Sequence, residues 1–173
     1  YILAIMLLLS FLSGNGAHAQ RPTEYEVKAA FIYNFAKFVE WQKPADEALP
    51  LCIIGDDPFG SAIKNVEGKT VAGKRIAVRR IKSLEELKGC QMLFISSSEK
   101  RKLGEITGLA KDIGILTISD TENFAEKGVV INLYMEEDNV RFEINIDAAS
   151  DARLKINSRL LSLARIVHHK TRQ

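Results

Sequence analysis

The residue groups that could carry chemistry are few, and each is incomplete as a catalytic motif. Gly55-Asp-Asp-Pro-Phe-Gly60-Ser61 has the G-x-x-x-x-G frame of a phosphate-cradling loop, but no lysine follows the second glycine. Gly68-Lys69-Thr70 supplies the G-K-T end of such a loop, with Ile63 where its first glycine belongs. Neither makes a nucleotide site. Ser96-Ser-Ser98 has no G-x-S-x-G elbow around it and reads as a strand-to-helix turn with a capping hydroxyl. A hydrolase serine served by the distant His168 would be the nucleophilic reading, and no motif stands behind it. The 3 histidines are His18 and the neighbours His168-His169, which a helix would send to different faces. Neither they nor the cysteine spacing gives a metal site, and nothing in the sequence calls for a cofactor. The expectation is a protein that binds rather than one that catalyses.

Two places suit a ligand or a covalent staple. In an open parallel sheet, ligands sit beyond the carboxyl ends of the strands, and Gly55, Asp56, Asp57 and Ser96 to Ser98 fall there. The 2 cysteines, Cys52 and Cys90, each lie at the mouth of a predicted strand. If those strands run parallel and close, both sulfurs reach the same end of the sheet, and an exported pair is oxidised. Closing that loop would stabilise the fold by about 4 kcal/mol in the chain-entropy model. Two free buried thiols are the alternative; a redox-active pair has no C-x-x-C to support it.

These groups need elements to position them. Glu24 to Trp41 reads at helical spacing as an almost wholly apolar helix, its polar positions Glu26, Tyr33, Lys37 and Glu40 confined to one narrow stripe. Thr23 caps its start and Pro44 stops it. Such a helix is either buried in its own domain or presents aromatics such as Phe35, Phe38 and Trp41 to a second subunit or a partner protein. From Leu51 onward short apolar runs alternate with helical pattern. Strands are expected at Leu51–Ile54, Lys74–Ile81, Met92–Ile95 and Ile113–Ile118. Helices are expected from Pro58 to about Val66, around Leu84–Leu87, at Glu99–Lys111 and at Thr121–Glu126. That alternation predicts an α/β fold: a mostly parallel sheet flanked by helices, Rossmann-like and three-layered. Val129–Met135 and Val140–Ile146 flank Glu136-Glu-Asp-Asn139 and predict an antiparallel hairpin at the sheet edge. A final helix from Asn157 or Ser158 would put Leu160, Leu161, Ala164 and Val167 on its apolar face, with Arg165 and His169 on the polar one.

The N-terminal run Ile2 to Leu12, apolar apart from Ser10, is followed by Ser13-Gly-Asn-Gly16 and Ala17-His18-Ala19. That is the pattern of a signal peptide over residues 1–19, with Gln20 opening a single mature domain, 20–173. A membrane anchor needs roughly 20 apolar residues, and no later stretch is long enough, so the mature chain is not expected to insert in a bilayer. The 24 basic and 22 acidic residues nearly cancel. There is no basic stripe interleaved with aromatics, so nucleic acid is not an expected partner.

Glu26-Val-Lys-Ala-Ala-Phe-Ile-Tyr-Asn-Phe-Ala-Lys-Phe-Val-Glu-Trp41 resembles the opening motif of the YfiR-like family of small periplasmic proteins. Phe142-Glu-Ile-Asn-Ile-Asp-Ala-Ala149 and Leu154-Lys-Ile-Asn-Ser-Arg-Leu-Leu-Ser-Leu-Ala-Arg-Ile-Val167 match near the end. Ile53-Ile-Gly-Asp-Asp-Pro-Phe-Gly60 and Cys90-Gln-Met-Leu-Phe-Ile-Ser96 lie between in the expected order. The resemblance covers essentially the whole mature chain. It implies a non-catalytic periplasmic regulator that restrains an inner-membrane diguanylate cyclase through its periplasmic sensor region, lowering cyclic di-GMP and biofilm formation. It also implies a homodimer. A periplasmic small-molecule binding module is the alternative. Glu143, Asn145 and Arg165 fall inside the closing motif and are the candidate pocket residues; Glu143 and Arg165 would equally form a surface ion pair worth about 0–1 kcal/mol. Some relatives carry a second cysteine pair, which this chain lacks, so redox switching based on that pair is not expected here.

Overall fold

A computed structural model describes residues 21–41 and 47–169. The signal-peptide reading of residues 1–19 lies outside them. Among the described residues no helix is long and apolar enough to cross a membrane. Helix α1 (Glu24–Phe38) starts in a reciprocal capping box: the Thr23 hydroxyl accepts from the Glu26 N–H, and the Glu26 carboxylate accepts from Thr23. It stops three residues short of the sequence expectation. Val39 turns into extended backbone, and β1 (Val39–Glu40) pairs antiparallel with β9 (Lys155–Ile156). The β-branched residue found a strand partner from the far end of the chain, and that tertiary pairing overrides helical spacing.

The rest is one eight-stranded sheet. Its strands are β2 (Ala48–Ile54), β3 (Thr70–Val71), β4 (Lys74–Ile81), β5 (Met92–Ile95), β6 (Leu116–Ser119), β7 (Ile131–Glu136), β8 (Asn139–Asn145) and β10 (Arg165–Val167). Their spatial order is β10-β8-β7-β6-β5-β2-β4-β3. The β4-β2-β5-β6-β7 run is parallel, so the fold is α/β with a mostly parallel sheet flanked by helices. The antiparallel β7–β8 hairpin lies one strand in from the edge where the sequence placed it, because β10 pairs parallel to the outer side of β8. Among the described residues there are three further α-helices: α2 (Leu103–Ile113), α3 (Ile146–Asp151) and the single turn α4 (Ser158–Leu161).

Alternation along the strands builds a core on each face. Leu51 and Ile53 of β2 join Met92, Phe94, Ile118 and Ile144 under α1, whose Ile32 and Phe35 are fully buried. Cys52 and Ile54 point the other way and meet Leu93, Ile95 and the Leu103, Ile106 and Ala110 stripe of α2. The opening and closing motifs pack on each other: Phe142 of β8 lies with its ring centroid 5.1 Å from Phe35 and 5.7 Å from Phe31. Cys52 and Cys90 are joined as a disulfide, with their Cα atoms 5.8 Å apart.

Three expectations are corrected. The segments read as short helices near residues 58–66, 84–87 and 121–126 are 3-10 turns at Ala62–Asn65, Glu85–Gly89 and Ala125–Lys127. They are too short to repay the cost of an α-helical nucleus. The helix expected at Glu99–Lys111 is a 3-10 turn at Ser97–Glu99 followed by α2, which ends on left-handed Gly114. The long final helix is absent: α4 ends at Leu161, and Arg165–Val167 form a strand parallel to β8. As a strand this segment pairs its backbone with the outer side of β8 and sets Arg165 against Glu143.

Candidate functional site

The first helix resolves the choice posed by its aromatics residue by residue. Phe35 has no exposed surface and belongs to the core, so it is not a partner-facing side chain in the folded chain. Phe38 and Trp41 are half-buried and stay at the surface. Trp41, just past β1, borders a cavity of about 410 Å³ whose apolar wall includes Ala36, Val39, Leu49 and Val71. Its indole Nε1–H is buried and finds no acceptor among the described residues. An unpaired buried donor of that kind costs about 1–3 kcal/mol until something accepts from it. Lys37, Glu40 and Lys74 stand at the rim of the same cavity. The chemistry on offer is an apolar slot bordered by the Trp41 indole, with Lys37, Glu40 and Lys74 among its lining.

The polar trio Glu143, Asn145 and Arg165 is brought together, but through a strand rather than a helix. Arg165 pairs with Glu143 in the β10–β8 register, and Val167 with Asn145. The Arg165 guanidinium donates twice to Glu143 Oε2, with Nε at 3.0 Å, and lies 4.3 Å from the Tyr134 ring centroid. Glu143 Oε1 accepts from Asn132 Nδ2 at 3.2 Å. The hydrogen bond to Glu143 raises the Arg165 pKa above the ordinary arginine value. Asn145, fully buried, caps α3 by accepting from the Ala148 N–H, and its amide donates to the Ala125 carbonyl. Glu143 is buried while Arg165 is half-exposed, so the pair is more than a surface contact. Its hydrogen-bonding capacity is spent on docking β10.

The parallel strands reverse order between β2 and β5, which places a topological switch point at Gly55 and Ser96. Gly55 has φ +87°, and a Cβ there would sit 2.3 Å from Ser98 Oγ. That hydroxyl accepts from the Asp56 N–H at 3.0 Å, while Asp57 is paired with Arg80. The crevice is therefore filled by the chain's own turn. Beside it lies an ion pair that sequence reasoning missed. Lys28 of α1 is 4% exposed, 2.7 Å from Asp120 and 2.5 Å from Glu24. Tyr25 also donates to Asp120. Burial works against the Lys28 charge, but hydrogen bonds to Asp120 and Glu24 outweigh it and hold its pKa above the ordinary lysine value. Burial first, then the Asp120 charge, raises Tyr25. The signal was available: Lys28 interrupts an otherwise apolar stretch between Val27 and Ala29. Among the described residues, no group of three or more His, Cys, Asp or Glu side chains could hold a metal.

This arrangement is that of an α/β domain built on a mostly parallel sheet. Two solved structures share its fold. A conserved domain protein from Vibrio cholerae O1 biovar El Tor matches with TM-score 0.57 at 10% identity, over 86% of this chain and 60% of its own. The ligand-free, open form of a substrate-binding protein with adhesive properties from Clostridium difficile matches with TM-score 0.53 at 12% identity, over 72% and 56%. The chain thus spans less than two thirds of either. At family level the assignment is specific: residues 25–165 match the YfiR/HmsC-like family, and the chain belongs to it.

Proposed function

We propose that the protein is exported through its 1–19 segment and acts in the periplasm as a non-catalytic regulator. In this reading it occupies the periplasmic sensor region of an inner-membrane diguanylate cyclase and so restrains cyclic di-GMP signalling and biofilm formation. The observation that carries the proposal is the end of the family's opening motif: Trp41 borders an apolar slot, and its indole N–H finds no acceptor among the described residues. Aromatics that enter or line such slots dominate interface energies, often by about 2 kcal/mol or more each. Phe38 and Trp41 are the residues proposed to meet the partner, by steric occupancy rather than chemistry. The test is to capture membranes with the tagged mature protein and identify what co-purifies. A membrane cyclase retained by the native chain and lost with Trp41→Ala is the expected result; its absence under mild detergent overturns the partner.

The same slot favours a second reading, a periplasmic small-molecule binding module. Its volume, about 410 Å³, lies within the range of about 300–1,000 Å³ typical of ligand pockets. Shifts in melting temperature with small apolar compounds, no partner present, would support that reading. We also propose a homodimer, to be checked by light scattering at micromolar concentration; a strict monomer would assign the exposed apolar surface to a different protein.

A further inference from the structure

On the face opposite α1 lies a second, smaller cavity of about 180 Å³, between α2, α3, the Gly128 turn and His169, two residues past β10. Its charged lining is Lys111, Lys127 and His169 against a single carboxylate, Asp151. Asp151 lies 3.5 Å from His169 Nε2, and among the described residues neither lysine is paired with a carboxylate. The lining thus carries a surplus of positive charge.

The orientation of His169 follows from its neighbours. Asn145 accepts from the Ala148 N–H with Oδ1 and donates to the Ala125 carbonyl with Nδ2, which fixes which way its amide points. That same Nδ2 faces His169 Nδ1 at 3.4 Å, so Nδ1 is the accepting nitrogen. In the neutral ring Nε2 therefore carries the proton and faces Asp151, 3.5 Å away, at the cavity. The floor is α2. A Cβ built on Gly104 or Gly108 meets nothing within 4 Å, so neither glycine is required by packing within the chain. Interior glycines weaken a helix, and here they leave its backbone bare toward the cavity.

We propose that this cavity binds a small oxyanion that also carries a hydroxyl hydrogen, as hydrogen phosphate or a hydroxycarboxylate does. Lys111, Lys127 and the His169 Nε2–H supply donors for the anionic oxygens. Asp151 supplies the one carboxylate acceptor, beside the Thr107 hydroxyl oxygen, and its charge disfavours an anion with no hydrogen to give it. The cavity is below the size of pockets for larger ligands, typically about 300–1,000 Å³, which excludes a nucleotide.

The test is calorimetric titration of the full mature chain, disulfide intact, with inorganic phosphate and separately with sulfate at pH 7 and constant ionic strength. Saturable one-to-one binding of phosphate, at least about tenfold tighter than sulfate, is expected. Lys111→Ala and Lys127→Ala alter exposed side chains, keep the melting temperature and weaken phosphate binding. Asp151→Asn erases the preference over sulfate. Gly108→Leu fills the floor and abolishes binding in a chain that still melts cooperatively. No saturable heat with phosphate up to millimolar concentration overturns the site. So does binding that survives both lysine changes, or equal affinity for sulfate.

Discussion

Replacing Phe35 with alanine removes a fully buried ring from between α1 and β8, where its centroid lies 5.1 Å from Phe142 and 5.9 Å from Phe31. The sheet beneath is held by strands on both sides and has little freedom to collapse into the space. Phe→Ala at such a site costs about 3–5 kcal/mol, the transfer term plus the cavity left behind. In a domain of this size each kcal/mol moves the melting temperature by about 2–4 °C, so Phe35→Ala should melt about 6–20 °C below the native chain. Trp41→Ala is the matched control. Trp41 is half-buried, and its removal also deletes an indole N–H with no acceptor among the described residues, so its melting temperature should fall far less. Scanning calorimetry of both variants, with partner capture measured on the same samples, separates core from interface. A Phe35→Ala protein that melts within about 2 °C of native would refute the packing argument, since a buried ring of this size cannot be lost so cheaply.

Three other perturbations have defined outcomes. Reducing the Cys52–Cys90 bond, whose cysteines are 38 residues apart, should remove about 4 kcal/mol while leaving a cooperative transition; an unchanged melting temperature under reductant would contradict it. Lys28→Ala strips Asp120 of its ammonium partner and should cost about 2 kcal/mol, with Lys28→Arg restoring part of it, as read from urea midpoints. Glu86 is held below the ordinary glutamate pKa by the N–H groups of Lys82 and Ser83. A depressed folded-state value means that its contribution is present above the ordinary glutamate range and is lost as pH falls through the lowered value. Glu86→Gln should therefore flatten the acid side of the stability–pH curve and leave the neutral side parallel to native.

Much of the architecture was legible because the strands announce themselves. Leu51–Ile54, Met92–Ile95 and the alternation of Val140, Phe142 and Ile144 have the length and period of buried strands, and Cys52 and Cys90 fall where parallel neighbours bring them together. The end of the chain was not legible for a physical reason. Leu160, Leu161, Ala164 and Val167 recur at helical spacing, yet three residues, Arg165 to Val167, gain more by completing the β8 edge than by extending a one-turn helix. Glu143 and Arg165 were visible as a pair while their setting was not, because the burial of Glu143 depends on that strand. Lys28 sits in plain sight inside the opening motif, but the aspartate that neutralises it lies 92 residues further on. The amide of Asn145 that orients His169 is equally a tertiary fact. Local pattern carries the elements; charge neutralisation between distant segments does not appear in it.

The most direct test of the regulatory account is the affinity of the purified mature chain for the isolated periplasmic region of a diguanylate cyclase encoded in the same cell. It should be measured by interferometry for the native protein and for Phe38→Ala and Trp41→Ala. The account predicts saturable binding that weakens on the order of 30-fold with Trp41→Ala, the equivalent of about 2 kcal/mol, in a variant that melts close to native. No binding by the native chain, or binding indifferent to both substitutions, would contradict it.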